Sequence, residues 1–595
     1  MGVIALVMND VTDILLRVEG LSVAFDERRV VEDVSYTLWR GRTLGIVGES
    51  GSGKSVSTMA LMGLLPKQAA VSGRAWLSDE PQRVPSRQQS ADETSGSFVH
   101  GDSLPKGTEL LALDEEGFRE IRGHRISMIF QEPMTSLNPV QRCGQQVMEM
   151  LLAHERVSRT EAQRRVIELF EEVMLPRPEK IFSSYPHEIS GGQKQRVMIA
   201  MALICHPALV IADEPTTALD VTVQKTILEL LRTLQRKYNI GIIFITHDLG
   251  VIAQIADDVA VMYKGKIVEQ GTAQQVLYNP RHPYTKGLLA CRPPLDSRPR
   301  RLLTVKDFME GNAAEEPQRQ TTVAEHVVAP TEGREPLLRV RDLDVTYALE
   351  TNLFGKVKKE LKAVNGLSFD IYRGETVGLV GESGCGKSTL GRAILQLIEK
   401  SAGTVEFEGR PLDKLAHSEQ KALRRKMQIV FQDPYSSLNP RLTIGQAIME
   451  PLRCHGLCTN EQERRERVLG LMQQVDLKAE WFDRYPHEFS GGQRQRVCIA
   501  RALALGPELV VCDESVSALD VSVQAQVLNL LNDLKEQYGY TYLFITHDLS
   551  VVKFFADRIM VMQQGSIVEQ GPSDQLFAHP QHPYTQRLLA ALPRL

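Results

Sequence analysis

The sequence predicts an α/β protein built from two tandem copies of one domain, each with a mainly parallel core sheet. The chain has 595 residues, whereas a single hydrophobic core stops growing near about 250 to 300 residues. A set of short motifs occurs twice in the same order, which indicates a duplicated domain. Short apolar runs alternate with longer amphipathic stretches, and this alternation is typical of strands and crossover helices.

The composition is that of an ordinary globular protein. Hydrophobic residues make up 43% of the chain, charged residues 24%, and the formal net charge is -5. This balance gives no electrostatic reason to bind nucleic acid. The longest apolar run, 197–212, is interrupted by His206 and Pro207, so no bilayer span is predicted. The apolar residues 3–8 are too few for a signal peptide, and export is not expected.

The eight cysteines are scattered along the chain without repeated CxxC pairs. They predict reduced, mostly buried thiols and residence in the cytoplasm. Cys454, His455 and Cys458 are close in sequence, but a structural zinc site needs four ligands and no partner cluster is visible. The sequence therefore predicts no metal site at these residues.

The repeat also locates an insertion. The second glycine-rich motif follows the first by 333 positions, whereas the later motif pairs are separated by 301 or 300 positions. The first half therefore carries about 32 extra residues between its glycine-rich motif and the next repeated motif. The repeated pairs are 48–55 with 381–388, 130–133 with 431–434, 190–193 with 490–493, 245–248 with 545–548, and 282–285 with 582–585.

Two polar segments predict the domain organisation. The extra residues predict a mobile surface loop at about 78–109, because this stretch is rich in Ser, Gln, Asp, Glu, Gly and Pro. A regulatory or partner contact is the alternative for this loop. The segment 293–335, rich in Pro, Arg, Glu, Ala and Thr, predicts a linker. The predicted domains are 1–292 and 336–595.

Several apolar runs end at a polar or glycine-rich motif. The runs 43–47, 209–212 and 242–245 predict buried parallel strands. The stretch 222–237 predicts an amphipathic helix. Because functional groups of α/β domains lie at the carboxyl ends of their strands, the motifs that follow these runs are candidate functional residues.

The two glycine-rich loops match the phosphate-binding pattern GxxxxGK[ST], and each follows an apolar run. Glycines let the backbone wrap round phosphates with its N–H groups inward, while a helix that begins at the lysine presents its positive end. Lys54 and Lys387 are predicted to reach the β- and γ-phosphates of ATP, and Ser55 and Ser388 to supply hydroxyls to Mg²⁺. Recurrence of the pattern within the repeat argues against a chance glycine-rich turn.

Two acidic pairs follow predicted strands further along the chain. Asp213 and Asp513 can hold Mg²⁺ through its water shell, whereas Glu214 and Glu514 can orient or deprotonate the water that attacks the γ-phosphate. A helix N-cap is the alternative for an isolated acidic residue. The phosphate loops in the same repeat favour the catalytic interpretation.

Together these motifs resemble the nucleotide-binding domains of ABC transporters, and the resemblance covers nearly the whole chain. Each half also carries a Q-loop glutamine, a Ser-Gly-Gly-Gln signature, a D-loop (218–220 and 518–520) and a switch histidine. The resemblance implies two tandem P-loop ABC-type domains, each with a mainly parallel core sheet, an antiparallel β subdomain and a helical signature subdomain. It implies catalytic roles for Glu214, His247, Glu514 and His547.

The resemblance also implies nucleotide and metal contacts. Phe25 and Tyr347 are expected to stack on adenine, although core packing would also place aromatic residues there. The implied Mg²⁺ contacts are Ser55, Gln131 and Asp213 in the first half and Ser388, Gln432 and Asp513 in the second. The implied nucleotide contacts are Phe25, Gly48, Ser50, Gly51, Gly53, Lys54, Ser55, Val56, Gln131, Ser190, Gly191, Gly192 and Gln193, together with Tyr347, Gly381, Ser383, Gly384, Gly386, Lys387, Ser388, Thr389, Gln432, Ser490, Gly491, Gly492 and Gln493.

In this family the signature of one domain binds the γ-phosphate held by the opposite domain, so that each ATP is sandwiched. Because this chain carries both halves, the resemblance implies an intramolecular nucleotide sandwich. The first phosphate loop would pair with the signature 490–493, and the second loop with the signature 190–193.

A narrower resemblance concerns the cargo. The sequences 131–139 and 432–440 and the two His-Pro-Tyr-Thr motifs are similar to the ATPases of peptide and nickel importers, and the fused arrangement looks most like those of glutathione import. It implies an ATPase motor for uptake of glutathione, dipeptides or oligopeptides. Nickel or another peptide-like solute is the alternative, and a soluble tandem ABC ATPase acting on ribosomes or DNA is a further one. Only Cys291 follows the first His-Pro-Tyr-Thr motif, so no iron-sulfur cluster is predicted.

The importer resemblance implies partners and a location. Two membrane permease subunits are expected to contact the segments after Gln131 and Gln432. A periplasmic or extracellular substrate-binding protein would deliver the cargo. The chain is expected to lie at the cytoplasmic face of the bacterial inner membrane as a peripheral subunit.

Overall fold

The computed structural model describes residues 14–26, 28–78, 107–131, 136–216, 219–311, 334–351, 357–517 and 519–592. The chain divides into two compact units, one over Met1–Leu219 and Val223–Lys286 and the other over Asp220–Thr222 and Gly287–Leu592. No helix within the described ranges is long and apolar enough to span a bilayer. The eight cysteines, all of them among the described residues, form no disulfide with one another, and six are buried.

The strands of the first unit form one antiparallel sheet and one mainly parallel sheet. In chain order they are β1 (Ile14–Phe25), β2 (Arg28–Trp39), β3 (Thr43–Val47), β4 (Ala69–Ser78), β5 (Gly107–Glu109), β6 (Ile126–Ile129), β7 (Leu209–Asp213), β8 (Gly241–Thr246), β9 (Asp258–Tyr263) and β10 (Lys266–Thr272). The antiparallel sheet has the order β2-β1-β4-β5, and the other has the order β10-β9-β3-β8-β7-β6. Neighbours in the second sheet are parallel except β10, which is antiparallel to β9. The predicted mainly parallel core sheet is confirmed.

Burial explains why the central strands are apolar throughout. Every residue of β3, β7 and β8 is buried, as expected for parallel strands that are covered on both faces. One hydrophobic cluster joins the two sheets and includes Leu16 of β1, Ile46 of β3 and Ile245 of β8. The antiparallel sheet therefore packs against the core sheet through a continuous apolar interior.

The helices of the first unit flank the core sheet or form a separate group. In chain order they are α1 (Lys54–Leu61), α2 (Glu115–Ile121), α3 (Cys143–His154), α4 (Arg159–Glu172), α5 (Pro178–Ser183), α6 (Gly191–Leu203), α7 (Val221–Tyr238), α8 (Leu249–Ile255), α9 (Ala273–Tyr278) and α10 (Pro283–Ala290). Helices α3 to α6 pack on one another, in agreement with the predicted helical signature subdomain. Ser158 and Ser190 accept a backbone hydrogen bond as the N-caps of α4 and α6, which explains where these helices begin.

The second unit repeats this architecture. Its antiparallel sheet has the order β12-β11-β14-β15, and its core sheet has the order β16-β17-β18-β13-β19-β20. The strands are β11 (Leu338–Thr351), β12 (Val357–Ile371), β13 (Thr376–Val380), β14 (Ala402–Phe407), β15 (Arg410–Pro411), β16 (Met427–Val430), β17 (Leu509–Asp513), β18 (Thr541–Thr546), β19 (Arg558–Gln563) and β20 (Ser566–Pro572). The helices are α11 (Val305–Met309), α12 (Lys387–Ile394), α13 (His417–Lys426), α14 (Pro434–Ser437), α15 (Ile444–Cys454), α16 (Glu461–Gln474), α17 (Gly491–Leu503), α18 (Val521–Tyr538), α19 (Leu549–Phe555), α20 (Ser573–Ala578) and α21 (Pro583–Ala590).

The two polar segments fall partly outside the described residues. In the segment 78–109, the described ends are strand residues, because Ser78 pairs with Gly107 between β4 and β5. Residues 79–106 and 312–333, which belong to the predicted loop and linker, lie outside the described residues. The earlier part of the predicted linker is folded within the second unit. The buried amide of Asn529 exchanges two hydrogen bonds of 2.9 Å with the backbone of Leu302.

Candidate active sites

The order of the core strands brings the motifs of the first half to one edge of the sheet. Strands β3, β8, β7 and β6 are neighbours and run parallel, so their carboxyl ends meet at the same edge. The glycine-rich loop follows β3, His247 follows β8, Asp213 ends β7 and Gln131 follows β6. Residues that are far apart in sequence therefore converge on one site.

The glycine-rich loop wraps round the start of α1. Gly51 and Gly53 have φ values of 77° and 98°, a backbone conformation that glycine adopts without strain. A Cβ at Gly53 would lie 2.9 Å from the backbone oxygen of Val30, so a side chain there is also excluded by space. Helix α1 begins at Lys54, which places its positive end and free N–H groups at the loop. This geometry suits an anion such as the phosphates of a nucleotide.

The ammonium group of Lys54 lies inside the loop. Its side chain is almost fully buried, at 5% exposed. Nζ donates to the backbone oxygen of Gly48 at 2.7 Å and to that of Glu49 at 2.9 Å. These carbonyl oxygens hold the ammonium group at the loop. It can therefore attract phosphate oxygens.

The acidic pair links the loop to the Q-loop glutamine and the switch histidine. Ser55 Oγ donates to Asp213 Oδ1 at 2.9 Å. Gln131 Nε2 donates to Glu214 Oε2 at 3.0 Å. The other carboxylate oxygen of Glu214 lies 3.3 Å from His247 Nδ1. Glu214, which follows β7, therefore joins Gln131, which follows β6, to His247, which follows β8.

The second half reproduces this arrangement on β13, β18, β17 and β16, which are likewise parallel neighbours. Lys387 Nζ donates to the backbone oxygen of Gly381 at 2.7 Å. Ser388 Oγ donates to Asp513 Oδ1 at 2.7 Å, and Gln432 Nε2 donates to Glu514 Oε2 at 2.8 Å. His547 Nδ1 lies 3.6 Å from the same Oε2, and Lys387 Nζ lies 3.9 Å from Glu514 Oε1. Both sites therefore pair corresponding residues, although the histidine and the glutamine face different oxygens of Glu214 and the same oxygen of Glu514.

Burial and charge shift the pKa values at the sites. Burial raises the pKa of Asp213 and Asp513, although a serine hydroxyl bonded to each carboxylate opposes this shift. Burial alone would also raise the pKa of Glu514, but the hydrogen bond and charge of His547 bring it below its ordinary value. The same bond to Glu514 raises the pKa of His547 although burial opposes it. Glu514 is therefore held as a carboxylate beside a readily protonated imidazole.

The oxygen groups at each site suit Mg²⁺. A serine hydroxyl, an aspartate carboxylate and a glutamine amide are hard oxygen ligands of the type this ion prefers. Among the described residues, no group of three or more His, Cys, Asp or Glu side chains could hold a metal ion by itself. Such a ligand set fits an ion that is bound through one or two protein groups together with substrate phosphates.

The predicted aromatic contacts lie on the antiparallel sheets. Phe25 ends β1 and packs partly against the hydrophobic core. Tyr347, on β11, is 41% exposed and pairs with Leu361 of β12, which is 51% exposed. The exposed position of Tyr347 suits stacking on a base, whereas the core contact of Phe25 gives that ring a packing role as well.

The signature motifs cap the helices that follow them. Ser190 Oγ accepts from the backbone N–H of Gln193 at 3.3 Å, and Gln193 Oε1 accepts from the Ser190 N–H at 2.9 Å. Ser490 and Gln493 form the same reciprocal pair at 3.4 and 3.0 Å. These capping boxes fix the start of α6 and α17. Ser190 and Ser490 are exposed, so each helix N-terminus is open to an anion.

Comparison with known proteins decides the family. A family model described as "ABC transporter" matches residues 31–217 and 364–517. The chain belongs to the ABC transporter family. A second model, described as "Oligopeptide/dipeptide transporter, C-terminal region", matches residues 268–317 and 568–595. As an ABC ATP-binding protein, the chain hydrolyses ATP to power transport.

Similar proteins extend along nearly the whole chain. The "Glutathione import ATP-binding protein GsiA" of Escherichia coli (strain K12) is 47% identical over 97% of this chain and 89% of its own length. The protein of the same name from Shigella sonnei (strain Ss046) has the same identity and coverage. Among solved structures, a chain titled "Dimeric Structure of MJ0796, a Bacterial ABC Transporter Cassette" is 29% identical. It covers 40% of this chain and 98% of its own, with a TM-score of 0.36.

Sequence reasoning missed one group of residues near the loops. The His-Pro-Tyr-Thr motifs were assigned only to the family resemblance, yet Tyr284 and Tyr584 contact the backbone of the two phosphate loops. The recurrence of this motif at a constant offset was the signal that could have indicated a role at the site.

Proposed function

We propose that the chain is the ATP-hydrolysing motor subunit of an importer for glutathione, dipeptides or oligopeptides. The observation that supports this choice of cargo is the 47% identity, over 97% of the chain, to proteins named for glutathione import. The two matches to the oligopeptide/dipeptide transporter region support the same class of solute. Nickel or another peptide-like solute remains the second candidate, because the sequence resemblance extends to nickel importers.

Each half supplies groups for binding the nucleotide phosphates. The backbone N–H groups after Gly51 and Gly384 and the N-terminus of the following helix cradle the phosphates. Lys54 and Lys387 are held by loop carbonyls through two of their three N–H donors, and they donate to phosphate oxygens with the remaining one. Bound Mg²⁺ would neutralise charge that develops on these oxygens. Ser55 with Asp213, and Ser388 with Asp513, would hold it.

The bonds at each glutamate support a role in hydrolysis. Glu214 and Glu514 accept a bond from a Q-loop glutamine and face a switch histidine. A carboxylate held in this way can orient the attacking water and accept its proton. The histidine can stabilise the charge of the γ-phosphate as the bond to it breaks.

We further propose two composite ATP sites. The first would combine the loop at Lys54 with the signature 490–493, and the second would combine the loop at Lys387 with the signature 190–193. Support comes from the family resemblance and from the complete set of residues in each half. The domain limits of 1–292 and 336–595 are part of the same proposal.

The proposed partners and location follow from the importer function. Two permease subunits would contact the segments after Gln131 and Gln432, and a substrate-binding protein outside the membrane would deliver cargo. The chain would act at the cytoplasmic face of the bacterial inner membrane. We propose no nucleic-acid partner, since the formal net charge of -5 does not favour one, and no iron-sulfur cluster.

Uptake by whole cells tests the cargo. A strain lacking this chain should lose energy-dependent uptake of labelled glutathione, and the wild-type chain should restore it. The matched control is the chain with both Glu214→Gln and Glu514→Gln, which should assemble but not restore uptake. Labelled dipeptide and nickel are measured in parallel. Normal glutathione uptake with lost nickel uptake would favour the second candidate, and unchanged uptake of all three would contradict the proposal.

A further inference from the structure

Tyr284 of the first His-Pro-Tyr-Thr motif reaches the phosphate loop from 235 positions away. Its side chain is fully buried, and the backbone N–H of Glu49 donates to Tyr284 Oη at 3.0 Å. The ring of Tyr263 lies against the tyrosine ring, with centroids 4.3 Å apart. Tyr284 belongs to the segment 268–317, which matches the oligopeptide/dipeptide transporter C-terminal region. A residue of this segment thus contacts the loop that is proposed to bind the nucleotide.

This hydrogen bond acts on the same peptide group that holds the catalytic lysine. The Glu49 N–H and the Gly48 carbonyl belong to one planar trans peptide, in which they point in opposite directions. Tyr284 holds the N–H side, while Lys54 Nζ donates to the Gly48 oxygen at 2.7 Å. The peptide is therefore fixed on both sides, and it cannot rotate without losing two bonds.

The tyrosine is itself held in place by its own motif. Glu269 accepts from the backbone N–H of Arg281 at 2.6 Å and from that of His282 at 3.1 Å. His282 Nδ1 in turn accepts from the backbone N–H of Tyr284 at 3.1 Å. These bonds fix the start of α10, which carries the tyrosine. The tyrosine is thus held by α10 and by Glu269 of β10, the edge strand of the core sheet.

The second unit has the same arrangement. The backbone N–H of Glu382 donates to Tyr584 Oη at 3.1 Å, and Lys387 donates to the carbonyl of the same peptide. His582 Nδ1 accepts from the Tyr584 N–H at 3.2 Å, and Glu569 accepts from the His582 N–H at 3.1 Å. Each buried tyrosine therefore bonds the N–H side of the peptide whose carbonyl accepts from the lysine of the same loop.

The base of each loop leaves no room for another arrangement. A Cβ at Gly48 would lie 2.2 Å from the backbone oxygen of Met262, and a Cβ at Gly381 would lie 2.2 Å from that of Met562. The loops therefore begin in close contact with β9 and β19. The tyrosine hydroxyl bonds the next residue of each loop, Glu49 or Glu382.

We propose that Tyr284 and Tyr584 are positioning residues of the ATPase, which orient the peptide that places Lys54 and Lys387. This inference rests on the proposed phosphate-binding role of the loops. Without the hydroxyl, the peptide loses one of its two bonds, and its carbonyl holds the ammonium group less firmly in the direction of the phosphates. The segments 268–317 and 568–595, which match the oligopeptide/dipeptide transporter C-terminal region, then each support the nucleotide site of their own half.

The test compares Tyr284→Phe and Tyr584→Phe with Tyr36→Phe. The substitutions keep the ring and remove only the hydroxyl. Tyr36 is the matched control because it is also buried and its hydroxyl has no hydrogen-bond partner among the described residues. Each variant is assayed for Tm, kcat and KM for ATP, and for photolabelling of each half by an azido analogue of ATP.

We expect kcat/KM for ATP to fall about three- to tenfold in Tyr284→Phe and in Tyr584→Phe, which is the size of effect that follows from losing one hydrogen bond. Labelling should fall in the first half for Tyr284→Phe and in the second half for Tyr584→Phe. Tyr36→Phe should match the wild type in both readouts. If Tyr284→Phe and Tyr584→Phe had wild-type kinetics and labelling, whatever their Tm, the proposal would be overturned.

Hydrogen exchange provides a measurement that does not depend on the variants folding or on ATP hydrolysis. In the nucleotide-free wild-type protein, the amides of Glu49 and Glu382 should be protected. Rapid exchange of both amides would overturn the inference even if the protein hydrolyses ATP. Protected amides in a protein that binds no ATP would instead contradict the proposed function and leave the tyrosine contact intact.

Discussion

Glu214 and Glu514, which directly follow β7 and β17, adopt a backbone conformation that L residues rarely use. Glu214 has a φ of 45° and Glu514 a φ of 47°, in the left-handed region. The N–H of each donates to the backbone oxygen of Ile245 or Ile545 at 3.0 and 2.9 Å. Such strain, of about 1 to 3 kcal/mol, persists at functional sites when the surroundings fix the residue. Here it turns the carboxylate towards the glutamine and histidine.

The pair of Glu514 and His547 predicts a pH-dependent contribution to stability. The pKa of Glu514 lies below its ordinary 4.5, so its contribution is complete above about pH 4.5 and is lost as pH falls through the folded value. The pKa of His547 lies above its ordinary 6.5, so its contribution is complete below about pH 6.5 and is lost as pH rises through the folded value. The pair should therefore stabilise the fold most between about pH 4.5 and 6.5.

Calorimetry of the nucleotide-free protein checks this window. His547→Ala should lower the free energy of unfolding by about 1 to 3 kcal/mol at about pH 6, because the buried carboxylate of Glu514 loses the bond and the charge of the imidazole. The loss should be smaller at about pH 9, because the contribution of the protonated histidine falls as pH rises through its raised folded pKa. The control is His579→Ala, since His579 is exposed. A loss of equal size at both pH values would contradict the prediction.

At the scale of elements, the two halves differ at the tip of one hairpin. In the second unit, Phe407 pairs with Arg410, and the loop between them is Glu408 and Gly409, with φ values of 51° and 71°. Positive φ at both loop residues is the feature of a type I′ turn, which suits the twist of a hairpin. In the first unit the corresponding strands β4 and β5 pair through Leu77 and Thr108, so the insertion lies between them.

Replacing residues 78–107 with Glu-Gly should therefore preserve folding and ATPase activity. The two-residue loop copies the turn that closes the same hairpin in the second unit, and β4 and β5 keep the pairs Trp76–Glu109 and Leu77–Thr108. We expect Tm within a few degrees of the wild type and kcat within about twofold, because surface changes away from the core are usually tolerated. A folded variant that has lost most ATPase activity would show that the insertion has a role of its own.

At the scale of the whole molecule, each half keeps the full set of proposed site residues. Each has a lysine, a serine and an aspartate proposed to hold Mg²⁺, a glutamate, a glutamine, a signature serine and a histidine, and the serine–aspartate and glutamine–glutamate bonds occur in both halves. This equality favours hydrolysis at both sites. An asymmetric motor would be expected to have lost one of these groups.

Glutamate and signature substitutions test both symmetry and the composite sites. Glu214→Gln and Glu514→Gln should each reduce turnover by about tenfold or more, since the amide keeps the shape but cannot accept the proton. Ser490→Arg should weaken nucleotide trapping at the loop of Lys54, and Ser190→Arg at the loop of Lys387. Trapped nucleotide is assigned by crosslinking to its half. Wild-type turnover in Glu514→Gln would contradict symmetry, and trapping lost in the same half as the altered signature would contradict the composite sites.

The sequence by itself determined the α/β class, the duplication and the chemical type of each motif. These features depend on residues that are adjacent or closely spaced in the chain, such as the loop 48–55 and the acidic pair 213–214. Their spacing and local propensity are visible without knowing the fold. The position of the insertion was predictable in the same way, because the two halves can be compared with each other.

Only the tertiary structure decided which distant groups meet. The order of the core strands brings Gln131, Glu214 and His247 together, and strand order depends on packing rather than on local pattern. The hydroxyl of Tyr284 reaches the Glu49 backbone across 235 positions. Likewise, composition predicts a linker at 293–335, and only the tertiary structure shows that Asn529 bonds the backbone of Leu302 within it. Contacts between residues so far apart in sequence are not visible in local composition.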